Sequence, residues 1–256
     1  NRRQEEILQY MGSTGKFSYR AAITADMKSE NTRARSGGKK DPYILSAGIA
    51  YSDGPFWGAV TYQKHESWAA TTLHASGAKS TMDDSDAESY RIAGRYIADL
   101  GNGASLTLSA MWENLEYELN DVTTPGAALR AFGFANSIFS ADGTANQDVK
   151  FDRDAWLISG KYAPGGNFDF RFLYAEADDL DVSGGAGMST NNASQTGADT
   201  TMLGVFYALG DSTELNVSYL EVDNDKYGEY GTGISAKFAG VGGEVEIIQF
   251  GILTMF

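Results

Sequence analysis

The chain has 256 residues, with 34 Asp and Glu against 20 Lys and Arg and a formal net charge of −14. That surplus of carboxylates argues against a nucleic-acid partner, since phosphate contacts need Lys and Arg in excess. With no Cys, disulfide and thiolate chemistry are excluded, and no run of about 18 apolar residues is available to cross a bilayer as a helix.

Runs of alternating apolar and polar residues recur from end to end, bounded by turn signals, and predict eleven strands. In chain order these are 5–12, 16–28, 43–53, 56–69, 89–100, 105–118, 153–163, 168–179, 199–209, 213–224 and 245–256. Helical periodicity is nowhere sustained. Short gaps at 12–15, 54–55, 101–104, 164–167 and 210–212 alternate with long ones at 29–42, 70–88, 119–152, 180–198 and 225–244. Pro42, Pro55, Pro125 and Pro164 all fall between runs, where a missing backbone donor costs nothing. The expected fold class is all-β: an antiparallel up-and-down transmembrane β-barrel with brief turns at one end and extended loops at the other. A closed barrel pairs its backbone between strands, so low hydropathy does not count against a membrane.

The twelfth-last residue onward reads V-E-I-I-Q-F-G-I-L-T-M-F, with Ile248, Phe250, Ile252 and the terminal Phe256 on one face. A greasy-faced strand ending on an aromatic is how an outer-membrane barrel closes. Phe250, Ile252 and Phe256 are therefore the candidate assembly signal, and the outer membrane of a Gram-negative bacterium the expected location. If Phe256 lies at the periplasmic side, an odd count of eleven places Asn1 on the opposite side, whereas such barrels have even counts. Residues 1–256 are then expected to be a single barrel domain lacking its N-terminal strands, about 16 strands making up the whole. The opening N-R-R-Q-E-E carries no export signal.

The period of two sorts the side chains into two faces. One holds Phe17, Tyr19, Ile23, Leu45, Ile49, Tyr51, Leu106, Leu108, Trp112, Phe168, Phe170 and Phe172 and is expected to meet lipid. The other holds Lys16, Arg20, Arg91, Arg95, Glu113, Lys161, Asp169 and Arg171 among Ser and Thr. A cation on the lipid side at mid-membrane costs about 2–4 kcal/mol, so this second face is expected to line a wet bore, where its cations either focus a field on passing solutes or pair with inward carboxylates such as Glu113 and Asp169.

At this point the chain resembles a known family. The stretch T-M-L-G-V-F-Y-A-L-G-D-S-T-E-L-N-V-S-Y-L-E-V-D-N-D (201–225), Y-G-E-Y-G-T-G (227–233) and the closing strand resemble the last three strands of Gram-negative general porins. D-P-Y-I-L-S-A-G-I-A-Y (41–51), Y-Q-K-H-E (62–66) and W-E-N-L-E-Y (112–117) are similar to that family's middle strands. The resemblance implies a 16-stranded homotrimeric pore for passive diffusion of small hydrophilic solutes, narrowed by an inward-folded loop after the fifth strand. Run 5–12 looks like the sixth strand, which would leave that loop upstream of Asn1. Thr254 departs from the family, where an aromatic or basic residue is common.

Other signals have plainer readings. His65 and His74 are the only histidines, little material for a His-based metal cage or a hydrolytic triad; His65 could serve a Ser–His site at one rim but reads more simply as an ordinary strand-end histidine, so neither catalysis nor a metal or other cofactor is expected. Asp83, Asp84, Asp86 and Glu88, and Asp223, Asp225 and Glu229, are read as solvated outer-loop carboxylates or cation-bridged neighbours of lipopolysaccharide phosphates. Arg33, Arg35, Lys39 and Lys40 form a basic stretch of an outer loop. The gap 119–152 carries Pro125, Phe132, Phe134, Ile138 and Phe139, apolar enough to fold over the mouth or against a subunit. A porin-type channel is the expected function; the alternatives are a non-conducting barrel that anchors or sheathes a partner, and a soluble β-sandwich, which leaves the repeated aromatic face unexplained.

Overall fold

The structure, a computed structural model, describes residues 7–24, 43–73, 79–122, 147–184, 194–210, 212–228, 230 and 241–254, with side chains described for these except 67–73, 79–85, 119–122, 147, 149 and 184. Twelve strands are present: β1 (Ile7–Thr14), β2 (Phe17–Thr24), β3 (Tyr43–Asp53), β4 (Phe56–Leu73), β5 (Lys79–Gly101), β6 (Ala104–Val122), β7 (Gln147–Ala163), β8 (Phe168–Ala177), β9 (Asp181–Gly184), β10 (Ala198–Gly210), β11 (Thr213–Asn224) and β12 (Glu244–Thr254). All pairings are antiparallel in one sheet, ordered β1-β2-β3-β4-β5-β6-β7-β8-β10-β11-β12, with β9 pairing β7 off this path. Among the described residues β1 and β12 are the sheet edges and do not pair with each other.

The path through the sheet has the eleven strands that alternation predicts. The twelfth, β9, is four residues long, too short to show a period. A larger correction concerns β4 and β5, which together fill most of the predicted 70–88 gap. Asp83, Asp84, Asp86 and Glu88 therefore lie on β5 and not in a loop. Beyond the hydrocarbon no face has to be apolar, so S-T-M-D-D-S-D-A hides a strand that cross-strand backbone bonds hold in place. His74, the basic stretch 33–40, Glu229, Phe256 and Phe132 to Phe139 lie outside the described residues.

Hairpins at one end are tight. Between β5 and β6, Asn102 and Gly103 have φ of 54° and 79°, the double left-handed pair of a type I′ turn whose twist matches its flanking strands. Register then fixes the faces, since directly opposed residues point the same way. Tyr19, Ile49, Val60, Ile92, Trp112 and Trp156 stand in one continuous row across β2 to β7. One residue along, Arg20, Gly48, Thr61, Arg91 and Glu113 form the row on the opposite face.

The apolar face is bare. Leu203, Ile248, Phe250 and Ile252 are 53, 67, 76 and 73 % exposed, whereas the buried apolar side chains among the described residues are only Ile44, Phe151, Leu180, Phe206 and Val222. A soluble sheet would bury its apolar face against another layer; this one presents it to an apolar solvent. Rings on that face pair across strands, Phe56 with Tyr96 at 4.8 Å and Phe17 with Tyr51 at 5.0 Å near the tight turns, and Tyr62 with Tyr90 at 4.9 Å and Trp156 with Tyr174 at 5.1 Å farther along. These make two aromatic belts bounding an aliphatic band, as at the two interfaces of a bilayer.

Candidate functional site

The polar face carries the residues that the period of two assigns to it, and their surroundings differ. Arg91 pairs with Glu113 directly across β5 and β6. Lys161 and Arg171 are also opposed, on β7 and β8, a like-charge juxtaposition that Asp169 relieves by accepting from both. Its carboxylate lies 3.0 Å from the Lys161 ammonium and 2.7 Å from Arg171 Nε. Arg171 also reaches Glu214 on β11 at 2.8 Å and lies over the Phe206 ring with its guanidinium carbon 3.6 Å from the centroid. Two cations thus face two carboxylates, and the local charge is balanced.

Arg20 and Arg95 are different. Among the described residues neither pairs with a carboxylate: Arg20 lies against the amide of Gln9 on β1, and Arg95 stands 5.9 Å from the centroid of Trp57. Both are exposed, so their field reaches the space in front of the sheet. Lys16 occupies the β1–β2 turn and pairs with Asp53 at the start of the β3–β4 turn, a position at the rim.

Of the candidate assembly residues, Phe250 and Ile252 on β12 are fully on the apolar face beside Val217 and Leu215 of β11. His65 sits on the polar face of β4 opposite Ile44 and Ala87, next to Gln63. At the end of the sheet away from the tight turns, Glu221, Glu244 and Glu246 bring carboxylate oxygens within 4.8 Å of one another, with the Tyr219 hydroxyl 2.9 and 3.0 Å from Glu221 and Glu246. On the same apolar-facing side Lys64 lies between Glu66 at 3.3 Å and Glu88 at 3.2 Å. Asp225, in the connection after β11, has its carboxyl pushed up from the usual Asp value by burial and then by Asp179, Asp199 and Asp223.

Sequence reading missed Glu214, Phe206, Trp57, Arg153 and Tyr230. Arg153 shares the parity of Lys161, assigned inward on the same strand, and Glu214 the parity of the polar positions of its own, so a stricter count finds both, whereas Phe206 and Trp57 lie on strands where no inward residue was assigned. Tyr230 carries no periodic signal.

The comparisons agree with this geometry. The family described as Gram-negative porin matches residues 1–227. No curated protein matches the sequence. Among solved structures, OmpT, an outer membrane protein of Vibrio cholerae, superposes with a TM-score of 0.61 at 12 % identity over 97 % of this chain and 63 % of its own. Its trimer form gives 0.58 at 13 % identity over 96 and 62 %, and a refined porin structure gives 0.52 at 16 % over 98 and 61 %. The chain thus spans a little over three fifths of the length of the barrels it resembles. With the family matched over most of the sequence and the fold shared with outer-membrane β-barrels, the chain belongs to the Gram-negative porins of the outer membrane.

Proposed function

We propose that this chain forms the wall of a water-filled outer-membrane channel through which small hydrophilic solutes and ions diffuse passively. The observation that carries the reading is the division of one sheet into an aromatic, aliphatic face and a face bearing Arg20, Arg91, Arg95, Lys161 and Arg171 with their partners Glu113, Asp169 and Glu214. Low-dielectric walls around such a bore focus the field of its unpaired cations, while paired ones mainly hold the wall's shape. Selection then rests on width and on Arg20 and Arg95.

The same reading includes a closed barrel of about 16 strands, a homotrimer, and an outer rim resting against lipopolysaccharide. The trimer form among the structural neighbours supports the second of these for this chain. Planar-bilayer recording tests the function: discrete, ohmic conductance steps are expected. A protein that inserts into bilayers and stays electrically silent would refute the channel and leave a structural anchor in its place.

A further inference from the structure

Part of the polar face stands open, as Thr61, Arg91 and Arg95 do, yet between β7 and β11, at the end away from the tight turns, several of its side chains are buried. Phe151 and Val222 are each 2 % exposed and Asn224 is 6 %, although register puts all three on the face that carries Arg91 and Lys161. The connection after β11 lies against that end through Tyr230, bonded to the side chain of Asn224.

Its path is pinned by hydrogen bonds. Tyr227 N–H donates to Gln195 O at 2.8 Å, Gly228 N–H to Asp225 O at 2.8 Å, and Gly242 N–H to Gly228 O at 2.9 Å. Asn224 clamps the rest: its amide donates to Tyr230 O at 3.1 Å and Gly243 O at 2.8 Å, and its carbonyl accepts from Tyr230 N–H at 2.7 Å. Gly228 is needed for the close approach, since a Cβ there would lie 2.7 Å from Gly197 O.

Tyr230 then reaches back to β7. The Arg153 guanidinium donates to its hydroxyl and lies 5.2 Å from its ring centroid. Two strands, β8 and β10, separate β7 from β11, three interstrand steps or about 14 Å of wall. Arg153 lies two residues beyond the last β7–β8 pair, Ala155 with Ala177, so its contact with a residue clamped on Asn224 is made past the outer ends of β8 and β10.

We propose that Tyr230 and Arg153 form a strap over the outer ends of β8 and β10, clamped by Asn224, and that this strap sets the width of the outer mouth for hydrophilic solutes. The width claim rests on the channel reading; the strap itself does not. The chain has no native Cys, so single cysteines report on access cleanly. With a charged methanethiosulfonate reagent on the folded protein in detergent, Val222→Cys is expected to react at least about tenfold more slowly than Thr61→Cys, its exposed counterpart on the same face. Adding Asn224→Ala, or Tyr230→Ala as an independent second variant, is expected to raise the Val222→Cys rate toward that of Thr61→Cys. Both variants are expected to raise single-channel conductance and the size of the largest polyethylene glycol that enters.

Equal labelling of Val222→Cys and Thr61→Cys in the parent overturns the strap. Release of Val222→Cys with no change in conductance or polymer exclusion overturns the narrowing. A parent silent in the bilayer refutes the channel reading alone, and labelling still decides whether the strap covers the wall.

Discussion

The assignment of faces makes a quantitative demand at two positions. Ile92 is 52 % exposed on the apolar face, while Thr61, directly opposite Arg91, is exposed on the polar one. Ile92 lies two residues from Tyr90 and four from Tyr96, which belong to the two aromatic belts. At about 3.3 Å per residue and a tilt of about 40°, it sits about 5 Å inside one belt and about 10 Å inside the other. Arg costs about 2–4 kcal/mol at the midplane and about 0–1 kcal/mol at the interface, so Ile92→Arg is expected to destabilise by about 2 kcal/mol, an approximately 30-fold change in the folding equilibrium. Thr61→Arg, placed in water, is expected to cost less than about 0.5 kcal/mol. Urea titration of the chain folded into phosphatidylcholine vesicles measures both. A loss below about 0.5 kcal/mol for Ile92→Arg together with a loss near 2 kcal/mol for Thr61→Arg would reverse the faces and refute the reasoning.

Three further outcomes are expected. Arg95→Glu and Arg91→Glu each lower the charge of the wall by two units and should both shift the cation-to-anion permeability ratio toward cations, whereas Glu113→Gln, which leaves Arg91 without its carboxylate, should shift it toward anions; reversal potentials in a salt gradient read all three. Gly165 has φ +91° and a Cβ built on it falls 2.6 Å from Asn102 O, whereas one on Gly166 meets nothing within 4 Å; Gly165→Ala should therefore destabilise by about 2 kcal/mol or more and Gly166→Ala by less than about 0.5 kcal/mol in the same urea titration. The raised Asp225 carboxyl favours the protonated form in the folded connection, so its contribution is fully present below the ordinary Asp value of 3.8 and is lost as pH rises through the higher folded value. The labelling rate of Val222→Cys divided by that of Thr61→Cys, which removes the common rise in thiolate, should accordingly increase as pH is raised from acid toward neutral, and Asp225→Asn should flatten that ratio.

How much of this was legible can be followed residue by residue. Alternation in 43–53 placed Leu45, Ile49 and Tyr51 on one face, and the β2–β3 and β3–β4 registers keep them there. The tight turn at 101–104 was announced by N-G, which the left-handed pair at Asn102 and Gly103 requires. Extensions of β4, β5, β6 and β7 above the lipid were not legible, because strands that face water on both sides carry no alternation. Pairing was only half legible: Glu113 and Asp169 were foreseen as inward carboxylates, but which cation each neutralises depends on the stagger of neighbouring strands.

Sequence by itself therefore determined the solvent on each side of the wall. A period of two is local, set by the pleat of a single strand, and it survives whatever the neighbours do. Tertiary structure alone decided that Asp169 serves Lys161 and Arg171 together, that Glu214 completes their balance from two strands beyond Arg171, and that Tyr230 leaves its own hairpin to meet Arg153. Apart from Asp169 and Arg171, two positions apart on one strand, those contacts join residues 8 to 77 positions apart in the chain, and register, which no single strand encodes, is what brings them within reach.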